Sequence, residues 1–292
     1  MRRVVIIVSC LFGVLALTVP ALAVQPTLVG GVNADQPYPF VVSLQARAGD
    51  LFCGGSLIDP SWVLTAAHCL TDRQPAGVTA RVGSNDRTQG GEVETPDKFV
   101  IHPDYNPSGA GGDIALVHLP KPASAAPVAI GTATDVGTAV RLLGWGQTCP
   151  DPGCGAGPAM LQQLDSHLVD PAKCTAAFDP KVELCTDSPD GKSGACYGDS
   201  GGPEIVRADN RWLLLGVTSR PGGNAATCVA APSIYTSAVA YAPWISQQLA
   251  PPPTSTPSPT SSPSPTPSPS ATPSPTPTTQ TTQTTQTTTT SA

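Results

Sequence analysis

Three short stretches of this 292-residue chain carry side chains that could do chemistry together. Gly198-Asp199-Ser200-Gly201-Gly202-Pro203 sets a serine among glycines, where a backbone can turn sharply and aim its N–H groups at a bound oxygen. Thr65-Ala66-Ala67-His68-Cys69 sets an imidazole beside a cysteine, and Gly112-Asp113-Ile114-Ala115-Leu116 opens an apolar run with a carboxylate. Each alone has a plainer reading: a turn, a packed core histidine, a strand or turn cap. Together they supply what a hydroxyl nucleophile requires, a general base within reach and an acceptor that orients that base. Their order along the chain is His, Asp, Ser.

Groups this far apart need a fold to assemble them, and the runs between them are mostly of strand type. Phe40 to Gln45, Trp62 to Thr65, Asp113 to Leu119, Ala139 to Leu143 and Trp212 to Thr218 are short aliphatic or β-branched runs. Clusters of Gly, Pro, Asn and Asp separate them. One helical signal stands near the end, Ala242 to Leu249, with Pro243 at an early helical position. Many short strands and few helices predict an all-β barrel or sandwich. No internal repeat is visible.

The two ends have other characters. Met1-Arg2-Arg3, an apolar run from Val4 to Val19 and Ala21-Leu22-Ala23 read as a secretory signal peptide, residues 1–23, cut after Ala23. As a membrane anchor the run of about 16 residues is short of the roughly 20 a span needs. Ile7-Val8-Ser9-Cys10 has the look of a lipobox, but too few apolar residues precede Cys10 and a long apolar run follows it. Residues 251–292 hold only Pro, Ser, Thr, Gln and two Ala, a composition that cannot bury a core and reads as a disordered or mucin-like tail. What remains suffices for one sizeable domain at about 150 residues per domain.

Charge and cysteines narrow the function. Charged residues are 12% of the chain and the net charge is −6, so no basic footprint exists for nucleic acid or an anionic membrane. No membrane association is expected once the leader is gone. In an oxidising compartment the eight cysteines left beside Cys10 should form disulfides. There is no CxxC pair and the four histidines, His68, His102, His118 and His167, are scattered, so no metal and no cofactor is expected. The last three histidines read as surface or strand positions.

Taken jointly, the three stretches resemble the active-site signatures of the chymotrypsin/trypsin family of serine endopeptidases, in a secreted form of bacterial type. Leu28-Val29-Gly30-Gly31 resembles the family's mature N-terminus, Cys53 to Ile58 its first hairpin, and Leu143-Gly144-Trp145-Gly146 a mid-domain strand. Tyr241 to Leu249 is similar to its terminal helix, so the likeness spans residues 28–250 and leaves 24–27 as a short propeptide. The fold implied is two six-stranded antiparallel β-barrels with a C-terminal helix and the active site between them. The resemblance implies that Ser200 is the nucleophile, His68 the general base and Asp113 its orienting acid, supported by Ser219. It assigns the oxyanion hole to the N–H groups of Gly198 and Ser200, and the activating ion pair to a new α-ammonium at Leu28 with Asp199. By matching positions it pairs Cys53 with Cys69, Cys174 with Cys185 and Cys196 with Cys228, which leaves Cys149 with Cys154.

The sequence also departs from that family. Thr27, not Arg or Lys, precedes Leu28. Gly194 stands at the base of the specificity pocket, where basic-specific relatives have Asp, and Ser233 stands at a wall glycine. Ser219-Arg220-Pro221 replaces the family's Ser-Trp-Gly, with Gly222 an alternative for the wall position. Ser84 falls near the first acidic ligand of the calcium loop of some relatives, so no calcium is expected there. These features predict a monomeric secreted endopeptidase with a neutral P1 preference, acting on proteins or peptides and meeting protein inhibitors. The alternative class is a non-catalytic or unprocessed relative that binds through its barrels and tail. Intact His68, Asp113 and Ser200 favour the enzyme.

Overall fold

The computed structural model describes residues 28–250 apart from 47, 48, 133 and 226. The readings of residues 1–27 as leader and propeptide and of 251–292 as a tail lie outside the described residues.

Strand β1 (Val32–Asn33) is followed by β2 (Val41–Ala46), β3 (Leu51–Asp59), β4 (Trp62–Thr65), β5 (Val78–Val82), β6 (Glu92–Glu94), β7 (Lys98–Ile101) and β8 (Ala115–His118). Strands β2 to β8 form one antiparallel sheet in the order β6-β5-β2-β3-β4-β8-β7. In β5, Val78, Ala80 and Val82 are buried while Thr79 and Arg81 are only partly covered, the alternation of a strand with one face on the core. Then come β9 (Ala129–Ile130), β10 (Ala139–Gly144), β11 (Gln162–His167), β12 (Glu183–Thr186), β13 (Pro203–Ala208), β14 (Arg211–Pro221) and β15 (Ser233–Ser237). With β1 they form the second sheet, ordered β1-β11-β10-β13-β14-β15-β12, and β9 runs parallel to β14.

This is the all-β, two-sheet architecture that the resemblance implies, with strand counts of seven and eight rather than six each. The additions are short edge pairings: β1 and β9 have two residues each and β6 has three. Helix α1 (Ala242–Leu249) carries Pro243 in its first turn, where its fixed φ suits the helix and its missing N–H would be unpaired anyway. Its Ile245 is buried in a core shared by both sheets, in which Leu44 and Leu64 of the first meet Ile205 and Val217 of the second. Four disulfides join Cys53–Cys69, Cys149–Cys154, Cys174–Cys185 and Cys196–Cys228.

Candidate active site

Strands β4 and β8 pair antiparallel with Thr65 opposite Ala115, so the segment leaving β4 meets the one entering β8. His68 lies on a single 3₁₀ turn just past β4, which the Cys53–Cys69 disulfide ties to β3. Asp113 lies two residues before Ala115. His68 Nδ1 is 2.8 Å from Asp113 Oδ2, and the His68 backbone N–H donates to Asp113 Oδ1 at 3.0 Å. A carboxylate only accepts, so Nδ1 carries a proton, and in the neutral ring Nε2 is the nitrogen left to act as acceptor. Ser219 Oγ donates to Asp113 Oδ2 at 2.6 Å. Burial pushes the Asp113 carboxyl up, but the hydrogen bond and charge of His68, with Ser219, outweigh it and hold the group below the usual carboxylate range.

Ser200 arrives from the second sheet, on the turn that leads into β13. Its carbonyl accepts from Gly54 N on β3 at 2.7 Å, which stitches the turn to the first sheet. Gly198 has φ +96°, a conformation open to glycine at no steric cost. Among the described residues nothing accepts from the N–H of Gly198 or of Ser200. His68, Ser200 and Gly198 line one cavity of about 630 Å³.

Asp199, between those donors, is 1% exposed. Its carboxylate accepts from Gly146 N at 2.8 Å and Cys196 N at 2.9 Å, and no cation among the described residues pairs with it. Burial raises it to about 7 against the opposing pull of those two amides. A Cβ on Gly146 would fall 2.4 Å from the carboxyl carbon, so only glycine fits there. Leu28 is buried among Leu142, Leu184 and Tyr235, and the carbonyl of Val29 accepts from Gly194 N at 2.9 Å. In the uncut chain the Leu28 nitrogen is an amide, without charge to offer Asp199.

Ser219, Pro221 and Ser233 line the same cavity as Ser200, together with Ala195. Pro221 stands opposite Ser233 in the β14–β15 register, while Gly222 turns away to Pro232 and Thr175. Gly194 is not among the lining residues. It sits behind the cavity, facing Val229, Ser188 and Ser233.

Other groups take structural roles. His102 is 8% exposed, wedged edge-on against Tyr241 and Trp244, where burial lowers it; the expectation of a surface or strand position is corrected by this packing. His118 Nδ1 is 2.6 Å from Asp97 Oδ1, and His167 is 3.8 Å from Asp187. Among the described residues the one group compact enough for a metal is Cys53, His68 and Cys69, and its two sulfurs are bonded to each other. The Ser84 hydroxyl is shared between the carbonyls of Asp86 and Gln89, closing its own loop.

Sequence reasoning missed Glu204, a lone acid in the apolar run of β13. Its Oε1 accepts from Thr186 Oγ1, its Oε2 has no partner among the described residues, and burial raises it to about 8. A carboxyl raised on folding keeps a proton that the unfolded chain gives up. Its stabilisation is therefore complete below its ordinary value of 4.5 and lost as pH rises through about 8. Glu204→Gln stays neutral throughout, so its melting temperature relative to wild type should climb from pH 5 to pH 8. A difference that stays flat across that range would mean that Glu204 is ionised in the fold.

A family model described as Trypsin matches residues 28–245. A curated protein named "Trypsin", from Saccharopolyspora erythraea, is 33% identical over 231 residues, covering 76% of this chain and 98% of that relative.

Proposed function

The chain belongs to the trypsin family and is a serine endopeptidase, and we propose that it is a secreted one that cleaves peptide bonds through an acyl-enzyme on Ser200. The observation that carries this reading is the oriented pair His68–Asp113 sharing one cavity with Ser200. On this reading Ser200 Oγ bonds to the scissile carbonyl carbon as its proton passes to His68 Nε2. The C–N bond then breaks, and His68 returns that proton to the leaving amine. Water repeats the sequence on the ester and releases the acid. Asp113 keeps the imidazole in the productive tautomer and stabilises the imidazolium. The two amide N–H groups of Gly198 and Ser200, left without acceptors, suit the oxyanion of each tetrahedral intermediate.

Labelling the secreted protein with a fluorophosphonate probe and mapping the adduct by mass spectrometry tests this assignment. An adduct on any residue but Ser200, or none on the processed protein, overturns it.

Secretion is proposed from the leader at residues 1–23, and the four disulfides suit an oxidising compartment. Protein or peptide substrates and protein inhibitors are the proposed partners of a monomer that carries residues 251–292 as a tail.

A neutral P1 preference rests on the cavity walls. Pro221 and Ser233 narrow it, and the one carboxylate among its lining residues is Asp72, beside Arg73. An arginine P1 would be desolvated without a partner, at several kcal/mol, so peptides with Ala, Val or Leu should exceed Arg by roughly 10²-fold or more in kcat/KM. Discrimination among apolar P1 residues should be graded, since one methylene is worth about 1–3 kcal/mol. Relative kcat/KM on peptides differing only at P1 decides the matter, and an Arg peptide cleaved fastest would refute the pocket assignment.

A further inference from the structure

The residue that follows Ser219 is an arginine, and its surroundings give it a task. We propose that the ion pair between fully buried Glu183 and part-buried Arg220 is a positioning device for the His68–Asp113 dyad, acting through Ser219 and through the turn that carries Asp113. The inference rests on the reading of that dyad as the catalytic base and its orienting acid.

Arg220 Nη1 donates to Ser219 Oγ at 3.1 Å. Adjacent side chains of a regular strand point to opposite faces, but the β14–β15 register slips between Thr218 and Arg220, and such a bulge re-aims side chains. A serine hydroxyl has one proton and two acceptor lone pairs. Once Arg220 donates into a lone pair, the hydroxyl proton is left for Asp113 Oδ2, 2.6 Å away. Arg220 thus sets the direction of the bond that Ser219 makes to the acid.

Glu183 fixes Arg220 in turn. Its side chain is fully buried, and it accepts three hydrogen bonds beside a close ion contact. Oε1 accepts from Gly111 N at 2.8 Å and lies 2.7 Å from Arg220 Nη1. Oε2 takes Arg220 Nη2 at 3.0 Å and Asp179 N at 2.9 Å. Arg220 Nη2 also donates to the carbonyl of Ala177. Gly111 stands two residues before Asp113, and the intervening Gly112 N donates to Tyr241 Oη at 2.7 Å. One carboxylate therefore braces both ends of the Ser219–Asp113 bond.

Stability alone does not account for this arrangement. A buried ion pair is often no better than well-packed apolar residues of the same volume, and its attested use is to fix geometry. The other titratable groups around it are Tyr105, which faces Asp113 and Asp72, and Tyr241, which faces Glu183, Asp104 and Asp179. Arg220 also lines a smaller hollow of about 250 Å³ with His68, Asp113 and Ser219, so a pure substrate-wall role is the competing account.

The test compares processed full-length enzymes: wild type, Arg220→Lys, the pair Glu183→Gln with Arg220→Gln, Ser219→Ala, and Ser219→Ala with Arg220→Lys. The readouts are kcat and KM on one peptide substrate and the pH profile of kcat/KM. A lysine keeps the charge but is a point donor that cannot serve a fork. Arg220→Lys should lower kcat roughly 10-fold at little change in KM, well within what a small misplacement of a reacting group costs. In the Ser219→Ala background the same change should cost clearly less in kcat, because one of the two connections, that through the Ser219 hydroxyl, is already cut. The Gln pair strands no buried charge. It removes a cation that lines both hollows with His68, while Glu183 lines neither, so the acidic limb of kcat/KM should move to higher pH.

Equal losses in kcat with and without the Ser219 hydroxyl overturn the proposal, as does a change confined to KM. If Arg220→Lys does not fold, the Gln pair decides alone, and a wild-type kcat and acidic limb there refute the device. Wild-type labelling at Ser200 alongside such a result retires this inference only. Absence of labelling retires the mechanism itself.

Discussion

Replacing Ser200 by alanine should lower kcat for peptide hydrolysis by about a millionfold and abolish fluorophosphonate labelling, while the protein folds as before. The loss is large because Ser200, His68 and Asp113 act as a unit: without the hydroxyl there is no acyl-enzyme for the base to serve. What remains should come from substrate binding and the two free amides near the nucleophile, which the substitution leaves in place. Folding is spared because the turn is held through the backbone, by the Ser200 carbonyl on Gly54 N and by Gly202 N on the Asp199 carbonyl. Steady-state kinetics, intact-mass analysis after probe treatment and thermal melting check the three parts. A Ser200→Ala enzyme that keeps most of its activity would sink the assignment.

The second large effect is activation. Assayed at about pH 8, where Asp199 of the uncut chain is ionised, cleavage between Thr27 and Leu28 should raise kcat/KM roughly 10³-fold, the equivalent of the 3–5 kcal/mol that separates a buried unpaired charge from a paired one. In the uncut chain Asp199 has two amide donors and no cation among the described residues, and burial favours its protonated form up to about pH 7. A new α-ammonium at Leu28 would supply the missing charge. The apolar seat of the Leu28 side chain already exists, and Val29 already bonds to Gly194, so the cut has mainly to alter charge. The ionised Asp199 would then brace the turn that presents the N–H groups of Gly198 and Ser200. N-terminal sequencing of the protein before and after it gains activity decides the point. Full activity in a chain that starts at Val24 excludes the mechanism, and Asp199→Asn should erase the gain from cutting.

Local chemistry made the candidate site legible. His68, Asp113 and Ser200 each sit in a short pattern whose meaning does not depend on distant contacts. Helix α1 was equally plain, because Pro243 marks its start and Ile245 its buried side. Five strands were readable as apolar runs. Strand β3 was not, because Gly54 and Gly55 argue against a strand; Gly54 admits the close approach of the Ser200 turn, and Gly55 that of Val63 and Leu64 on β4. Strand β11 offers no apolar run to read, since Gln162 and Gln163 are buried polar residues satisfied only by the fold, as in the acceptance of a hydrogen bond from Tyr38 Oη by Gln163. Glu183 and Arg220 were invisible as a pair. Thirty-seven positions separate them, and each alone passes for a surface charge. At the pocket, Pro221 lines the cavity although the register past Ser219 depends on the bulge in β14, which no local pattern announces, whereas Gly194 stands behind the lining residues.

The backbone bond from Gly54 to Ser200 has one more consequence. The base and its acid hang from one sheet and the nucleophile from the other, so turnover depends on the registration of two sheets that a shared core holds in step. Proteolytic activity is thereby a finer gauge of alignment than any spectroscopic measure of strand content. A perturbation that loosens the seam between the halves will silence the enzyme while its secondary structure still looks intact, and a substrate lying across that seam will act as a splint.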